Sequence, residues 1–220
     1  MNKKIITLIV GVVIILLVGI GIWMINSNTS NKSSSNNLST GDYEESSSSQ
    51  SDNNISNDTD TNTSSSKVAI VYFSASGTTK RVAEVLGRVT GGDLIEIVPK
   101  EKYTSADLDW NDSKSRTSIE CNDKNSRPEI ANTMDISNYD VIYLGYPIWW
   151  GDVPHIILTF MDTYQLDGKT VIPFCTSGGT GISGSISTLK NYNKNVKWID
   201  GKRLTDNENE IKNWVNSLNI

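Results

Sequence analysis

The chain holds few of the residues that metal and thiol chemistry require. Two cysteines and one histidine occur in 220 residues. Cys121 and Cys175 lie far apart and form neither a zinc-ligand pattern nor a Cys-x-x-Cys pair. Both are expected to be free thiols, with Cys175, at the end of an apolar run, buried as a small hydrophobe. His155 could serve as a general base only with a substrate proton in reach. It is read instead as a residue at the start of a helix. Basic residues are also in the minority: 20 Lys and Arg against 25 Asp and Glu, for a net charge of −5. No basic patch interleaved with aromatics is present, which argues against nucleic acid as a partner. The chain lacks a Gly-x4-Gly-Lys-Ser/Thr loop and a Gly-x-Gly-x-x-Gly turn, the marks of nucleotide and dinucleotide sites. No internal repeat is present.

Long apolar runs are absent save one. Residues 5–25 are apolar apart from Thr7 and small glycines, and Lys3 and Lys4 precede them. A helix rising about 1.5 Å per residue over this run spans the roughly 30 Å hydrocarbon core. The run is longer than a signal-peptide core and no Ala-x-Ala-like site follows it. A transmembrane anchor is therefore expected over 5–25, behind a short cytoplasmic segment, 1–4, with a cleaved signal segment as the alternative. The two lysines place the rest of the chain on the extracytoplasmic side of the cell membrane. Residues 26–66 are nearly all Ser, Asn, Thr and Asp. They cannot bury enough apolar surface to offset ordering entropy, so a disordered linker is expected. Residues 67–220 remain as one domain of ordinary size.

Within that domain apolar runs alternate with amphipathic stretches. Val68–Phe73, Leu94–Val98, Asp140–Leu144, Thr170–Cys175 and Val196–Ile199 read as strands. The first is a continuous run of β-branched and aromatic residues, as in a strand buried on both faces. Thr78–Val89, Val153–Tyr164, Ser185–Asn191 and Asp206–Leu218 read as helices. Gly91 and Gly92 end the first of these, and Pro154 sits in the first turn of the second. This order predicts an α/β domain with a parallel sheet covered on both sides. Residues 100–138 are the least patterned. Thr104 and Ser105 could cap a helix carrying Leu108, Trp110 and Ile119, and 121–127 reads as loop.

Three loops leave the carboxyl ends of the predicted strands, where open parallel sheets bind ligands. Ser74-Ala75-Ser76-Gly77-Thr78-Thr79 joins a strand to a helix. Helix-start amides and four hydroxyls suit a phosphate; the alternative is an ordinary helix cap. Pro147-Ile148-Trp149-Trp150-Gly151-Asp152 sets two indoles at a strand end. One of them could stack on a flat ligand, or one could be core and the other pack on a neighbouring helix. Thr176-Ser177-Gly178-Gly179-Thr180-Gly181 exposes backbone groups that could pair with a polar ring edge, or is a flexible linker.

These three motifs, in order and over 67–220, resemble the flavin-mononucleotide loops of flavodoxins. The resemblance implies a doubly wound five-stranded parallel sheet of order 2-1-3-4-5 and FMN as cofactor. By resemblance Ser74, Ser76, Gly77, Thr78 and Thr79 hold the phosphate without a salt bridge. Trp149 and Trp150 line the ring, Pro147 and Ile148 are cofactor-binding residues of the same loop, and Gly151 and Asp152 form the turn beside N5. Ser177, Gly178 and Gly179 meet the pyrimidine edge, and Thr176 is a cofactor-binding residue at the start of that loop. One departure stands out: the third loop has no aromatic to complete a sandwich, which leaves a ring face open. The resemblance implies an electron carrier serving a redox partner protein or a small-molecule acceptor, and the expected anchor, which the resemblance does not cover, would tether it to the membrane. The open face keeps an FMN-dependent NAD(P)H:quinone-type reductase as an alternative, although no nicotinamide motif is present. A cofactor-free interaction module is a third.

Overall fold

A computed structural model describes residues 66–220. The expected anchor and nearly all of the expected linker lie outside these residues. No helix among the described residues is long and apolar enough to cross a membrane.

The element order is β1 (Val68–Tyr72), α1 (Thr78–Thr90), β2 (Asp93–Glu96), α2 (Arg116–Asn122), β3 (Val141–Pro147), α3 (His155–Thr163), β4 (Thr170–Thr176), α4 (Ser183–Tyr192), β5 (Lys197–Trp198), β6 (Lys202–Arg203) and α5 (Glu208–Asn216). The strands are all parallel, in the order β2-β1-β3-β4-β5, with β6 also on β4. This is the predicted 2-1-3-4-5 arrangement. Period-2 alternation assigns every central residue to one of two cores. Ala69, Val71, Ile142, Leu144 and Val171 face Ile156, Ile157 and Phe160 of α3 and Leu189 of α4. Ile70, Tyr72, Tyr143, Ile172 and Phe174 face Val82 and Leu86 of α1 and Ile211 and Trp214 of α5.

The fifth strand differs from the single run Val196–Ile199 predicted for it. It is two short pieces, β5 beside Thr170–Val171 and β6 beside Phe174–Cys175. The break falls opposite Pro173. The carbonyls of Val171 and Cys175 accept from Ile199 N and Leu204 N. Pro173 occupies the same alternation but has no N–H to give in return. Gly201 fills the gap, and a Cβ there would stand 2.2 Å from the Pro173 oxygen.

Helix ends follow local chemistry. Gly91 caps α1, its N–H donating to Gly87 O at 2.8 Å. Pro154 is the residue just before α3 rather than one inside its first turn. The Asn207 side chain caps α5 by accepting from Glu210 N. Between β2 and β3, Thr104 and Asp107 bond reciprocally, as a helix cap would. Only turns follow, and the helix starts later, at Arg116, where Ser115 accepts from Ser118 N.

Candidate functional site

The first loop leaves β1 and enters α1 at Gly77, whose φ of +84° is left-handed. A glycine reaches that conformation without Cβ strain. Gly77 is the residue at the helix cap, and no side chain caps α1. The capping role open to these Ser and Thr residues is therefore not realised, and the first-turn amides have no side-chain acceptor. The Ser74 hydroxyl is buried without a partner. Ser76 Oγ and Thr78 Oγ1 are 3.4 Å apart. Thr79 Oγ1 and Thr176 Oγ1 meet at 2.8 Å in the interior, which ties the first loop to the end of β4. Ile148 N donates to Thr176 O at 2.9 Å, which ties the second loop to the third.

The second loop closes as a tight two-residue turn. Trp149 N donates to Asp152 O, and Asp152 N to Trp149 O, at 3.0 and 2.9 Å. Trp150 (φ +52°) and Gly151 (φ +83°) fill its corners, both in the left-handed region. That pair of angles defines a type I′ turn. A tryptophan there is strained, by about 1–3 kcal/mol. The two indoles take different roles. Trp149 is partly buried and edge-on to Phe73 and Tyr103, with centroids 5.5 and 5.0 Å away. Trp150 is 53% exposed. The Asp152 carboxylate points behind the turn, accepting from Thr188 Oγ1 at 2.6 Å and from Val153 N at 2.7 Å.

The third loop is a built turn, not a flexible linker. Ser177 Oγ accepts from Gly179 N and Thr180 N, at 3.2 and 2.9 Å. Gly178 and Gly179 have open space where a Cβ would stand. Local packing does not demand glycine at either position, but a molecule lying against the backbone would.

Two cavities adjoin over these loops. One, of about 520 Å³, lies between Ser76, Thr78, Pro147 and Thr176, with Arg81 and Asp206 at its edge. The other, of about 490 Å³, is walled by Trp149, Trp150, Gly151, Gly179, Leu108 and Trp110. Ile148, Ser177 and Gly178 line both, so the two form one trough. Ser74, Gly77, Thr79 and Asp152 shape it from behind rather than line it. The trough is hydroxyl-rich at one end and aromatic at the other.

Several wall residues escape sequence reasoning. Arg81, one turn into α1, bonds Asp206 at 3.3 Å, and both are largely exposed. It brings a cation beside a loop that holds none. Leu108, Trp110 and Thr117 reach the aromatic end from the connector between β2 and β3. Below Trp149, Tyr103 donates to Glu120 Oε2 at 2.7 Å, and Arg116 bonds Glu120 Oε1 at 2.6 Å while lying 4.0 Å over the Tyr103 ring. Burial, with Glu120 alongside, pushes the Tyr103 phenol well up. This network fixes the floor of the aromatic end.

His155 does not line the trough. It opens α3, and its Nδ1 is buried without a partner. Burial, then the charge of Arg127, lowers its pKa. Both thiols are free. Burial pushes Cys175 and Cys121 up to about 12.

The sequence profile of the family described as Flavodoxin matches residues 67–218. A protein from Bacteroides eggerthii, provisionally classed as a flavoprotein, has a similar crystal structure. It is 46% identical over 71% of this chain and 99% of its own, with a TM-score of 0.68. A second such protein, from Bacteroides uniformis, is 41% identical over 69% of this chain and 99% of its own, with a TM-score of 0.67. A flavoprotein from Lactobacillus acidophilus, crystallised in complex with FMN, is 28% identical over 69% of this chain and 99% of its own, with a TM-score of 0.54. No curated protein matches.

Proposed function

This chain belongs to the flavodoxin family, and from that membership we propose that it binds FMN and carries electrons to a redox partner protein or a small-molecule acceptor. We propose further that residues 5–25 hold it in the cell membrane with the domain on the extracytoplasmic side. The FMN complex of the Lactobacillus acidophilus relative supports the cofactor. The observation that carries the reading is the single trough with a hydroxyl-and-amide end and an aromatic end.

The residues present fit FMN. A phosphate has the uncapped amides of α1 and Ser76 and Thr78 on the wall, with the unpartnered Ser74 hydroxyl buried behind them. Helix-start amides and the helix dipole favour an anion at that point. A flat ring has Trp149 and Trp150, and its polar edge has the backbone of Gly178 and Gly179, where no Cβ intrudes. FMN, when bound, supplies one- and two-electron chemistry through its ring.

This chain's residues bind, orient and shield. The first loop fixes the phosphate end and so sets how far along the trough the ring can lie. Trp149, braced by Phe73 and Tyr103, gives a wall that does not yield. Ile148 and Trp150 keep water from that side. The Gly151 carbonyl rests near Gly184 of α4, where an added Cβ would stand 3.0 Å away. Asp152 ties this turn to Thr188 and so limits its movement.

A second reading, an FMN-dependent NAD(P)H:quinone-type reductase, draws on one observation. The third loop bears no aromatic from Thr176 to Ser185, and the trough opens beside exposed Trp150. An open ring face admits hydride transfer. One experiment tests the first reading and separates the two. The full-length chain, in mild detergent, is titrated with FMN by calorimetry and absorbance, and the loaded protein is then titrated electrochemically. Binding near one FMN per chain, with two resolved one-electron steps, is expected of the carrier. A single two-electron step with NAD(P)H oxidation would favour the reductase. Absence of binding would leave the cofactor-free interaction module.

A further inference from the structure

We infer that Trp110 stacks on the ring of the bound flavin and supplies, from the connector between β2 and β3, the aromatic contact that the third loop lacks. This rests on the FMN reading above. Three observations lead to it.

The first is position. The aromatic end of the trough is not closed by the three loops alone. Leu108, Trp110 and Thr117 complete its wall. Of these, only Trp110 carries a large π-face.

The second is exposure. Trp110 is 72% exposed, more than any other large apolar residue described. A scattered exposed leucine needs no explanation, but an indole left in water at the mouth of an aromatic cavity does. Covering that face with a planar ring removes apolar surface from water and adds stacking.

The third is the mount. Trp110 does not sit on a loose loop. Before it, Thr104 and Asp107 bond reciprocally and Leu108 N donates to Thr104 O. After it, Asn111 N donates to Asp109 Oδ1 at 2.9 Å. Thr117 N and Oγ1 both donate to Asp107 O, at 3.1 and 2.8 Å, and Ser118 Oγ donates to Asp112 O at 2.7 Å. The segment is thus pinned to α2 on both sides of the indole. With the backbone pinned, only the two side-chain torsions of the indole remain to be ordered when a ligand arrives, so less of the contact is lost to entropy.

The test uses the full-length chain in mild detergent, with wild type, Trp110→Ala and Trp110→Phe. FMN is titrated by quenching of its fluorescence and by calorimetry, and the cofactor-free melting temperature is recorded for each. Loss of one stacking partner is expected to weaken FMN binding about 10- to 100-fold in Trp110→Ala. Trp110→Phe keeps a π-face and is expected to stay within about fivefold of wild type. The melting temperatures should coincide, because so exposed a side chain contributes little to the fold. Residual FMN emission from the saturated protein should rise in Trp110→Ala. Binding by Trp110→Ala within about twofold of wild type would overturn the inference. So would unchanged affinity with impaired turnover of a quinone, which would make Trp110 part of an acceptor site. If wild type itself fails to bind FMN, the cofactor reading falls and this inference with it. If only Trp110→Ala is indifferent, the cofactor reading stands.

Discussion

The two ends of the trough are built on different principles. The hydroxyl end is made of backbone: the uncapped start of α1, a left-handed glycine and short side chains held by one buried hydroxyl pair. The aromatic end is made of side chains brought from distant places: a strained tryptophan, a braced tryptophan and an indole from the connector. Backbone recognition needs only a turn and a helix and is written in consecutive residues. Side-chain recognition depends on a scaffold, here the Tyr103–Glu120–Arg116 network beneath Trp149. The two ends should fail differently when altered.

The sharpest contrast comes from Gly77→Asp. It sets a side chain where φ is +84° and a negative charge beside the helix-start amides that are to hold a phosphate. FMN affinity should fall by more than about 100-fold. A titration showing retention within about tenfold would mean that the first loop does not hold the phosphate. Next in size is Thr79→Val, which strands the Thr176 hydroxyl in the interior. Unfolding by urea should reveal a loss of about 1–3 kcal/mol, with a smaller loss of FMN affinity. At the aromatic end the sign should reverse. Trp150→Gly removes the strain of a left-handed tryptophan, so the cofactor-free protein should gain about 1 kcal/mol. The same change should weaken FMN binding about three- to tenfold. Loss of both stability and affinity would show that Trp150 is a packing residue and erase the contrast.

The smallest effect concerns His155, just behind the aromatic loop. Its pKa in the folded chain lies below the unfolded value of about 6.5, chiefly through burial and then through Arg127. The unfolded chain therefore binds the proton first as pH falls. Stability should decline as pH drops below about 6.5 and level off beneath the depressed folded value. His155→Gln should flatten that part of the profile in melting curves taken between about pH 8 and 5. Equal slopes in both proteins would assign the decline to other groups.

What was legible in the sequence follows the same division. β1, β3 and β4 announce themselves as continuous apolar runs because both faces are covered. The loops after them could be read because a strand-to-helix turn is local. The connector could not. Thr104 and Asp107 offer a helix cap, yet only turns follow. In α2 the usual burial is inverted: Thr117, Ser118 and Glu120 are inside while Ile119 is 57% exposed. A polar face turned inward, satisfied by Asp107 O, Asp112 O, Tyr103 and Arg116, defeats any search for an apolar stripe. Trp110 was visible as a residue, but its place on the trough wall depends on that inverted helix. The break in the last strand is hidden for a simpler reason: the proline opposite it lies on its neighbour, not in its own sequence.

That split has a use at the rim of the sheet. An uninterrupted outer strand presents a ladder of free amides and carbonyls on which a second polypeptide can zip up. Here the ladder is cut into two-residue rungs on either side of Gly201. No intruding strand finds enough consecutive partners to hold on. Refilling the gap, by giving position 173 an amide hydrogen again, should make this flank of the molecule sticky.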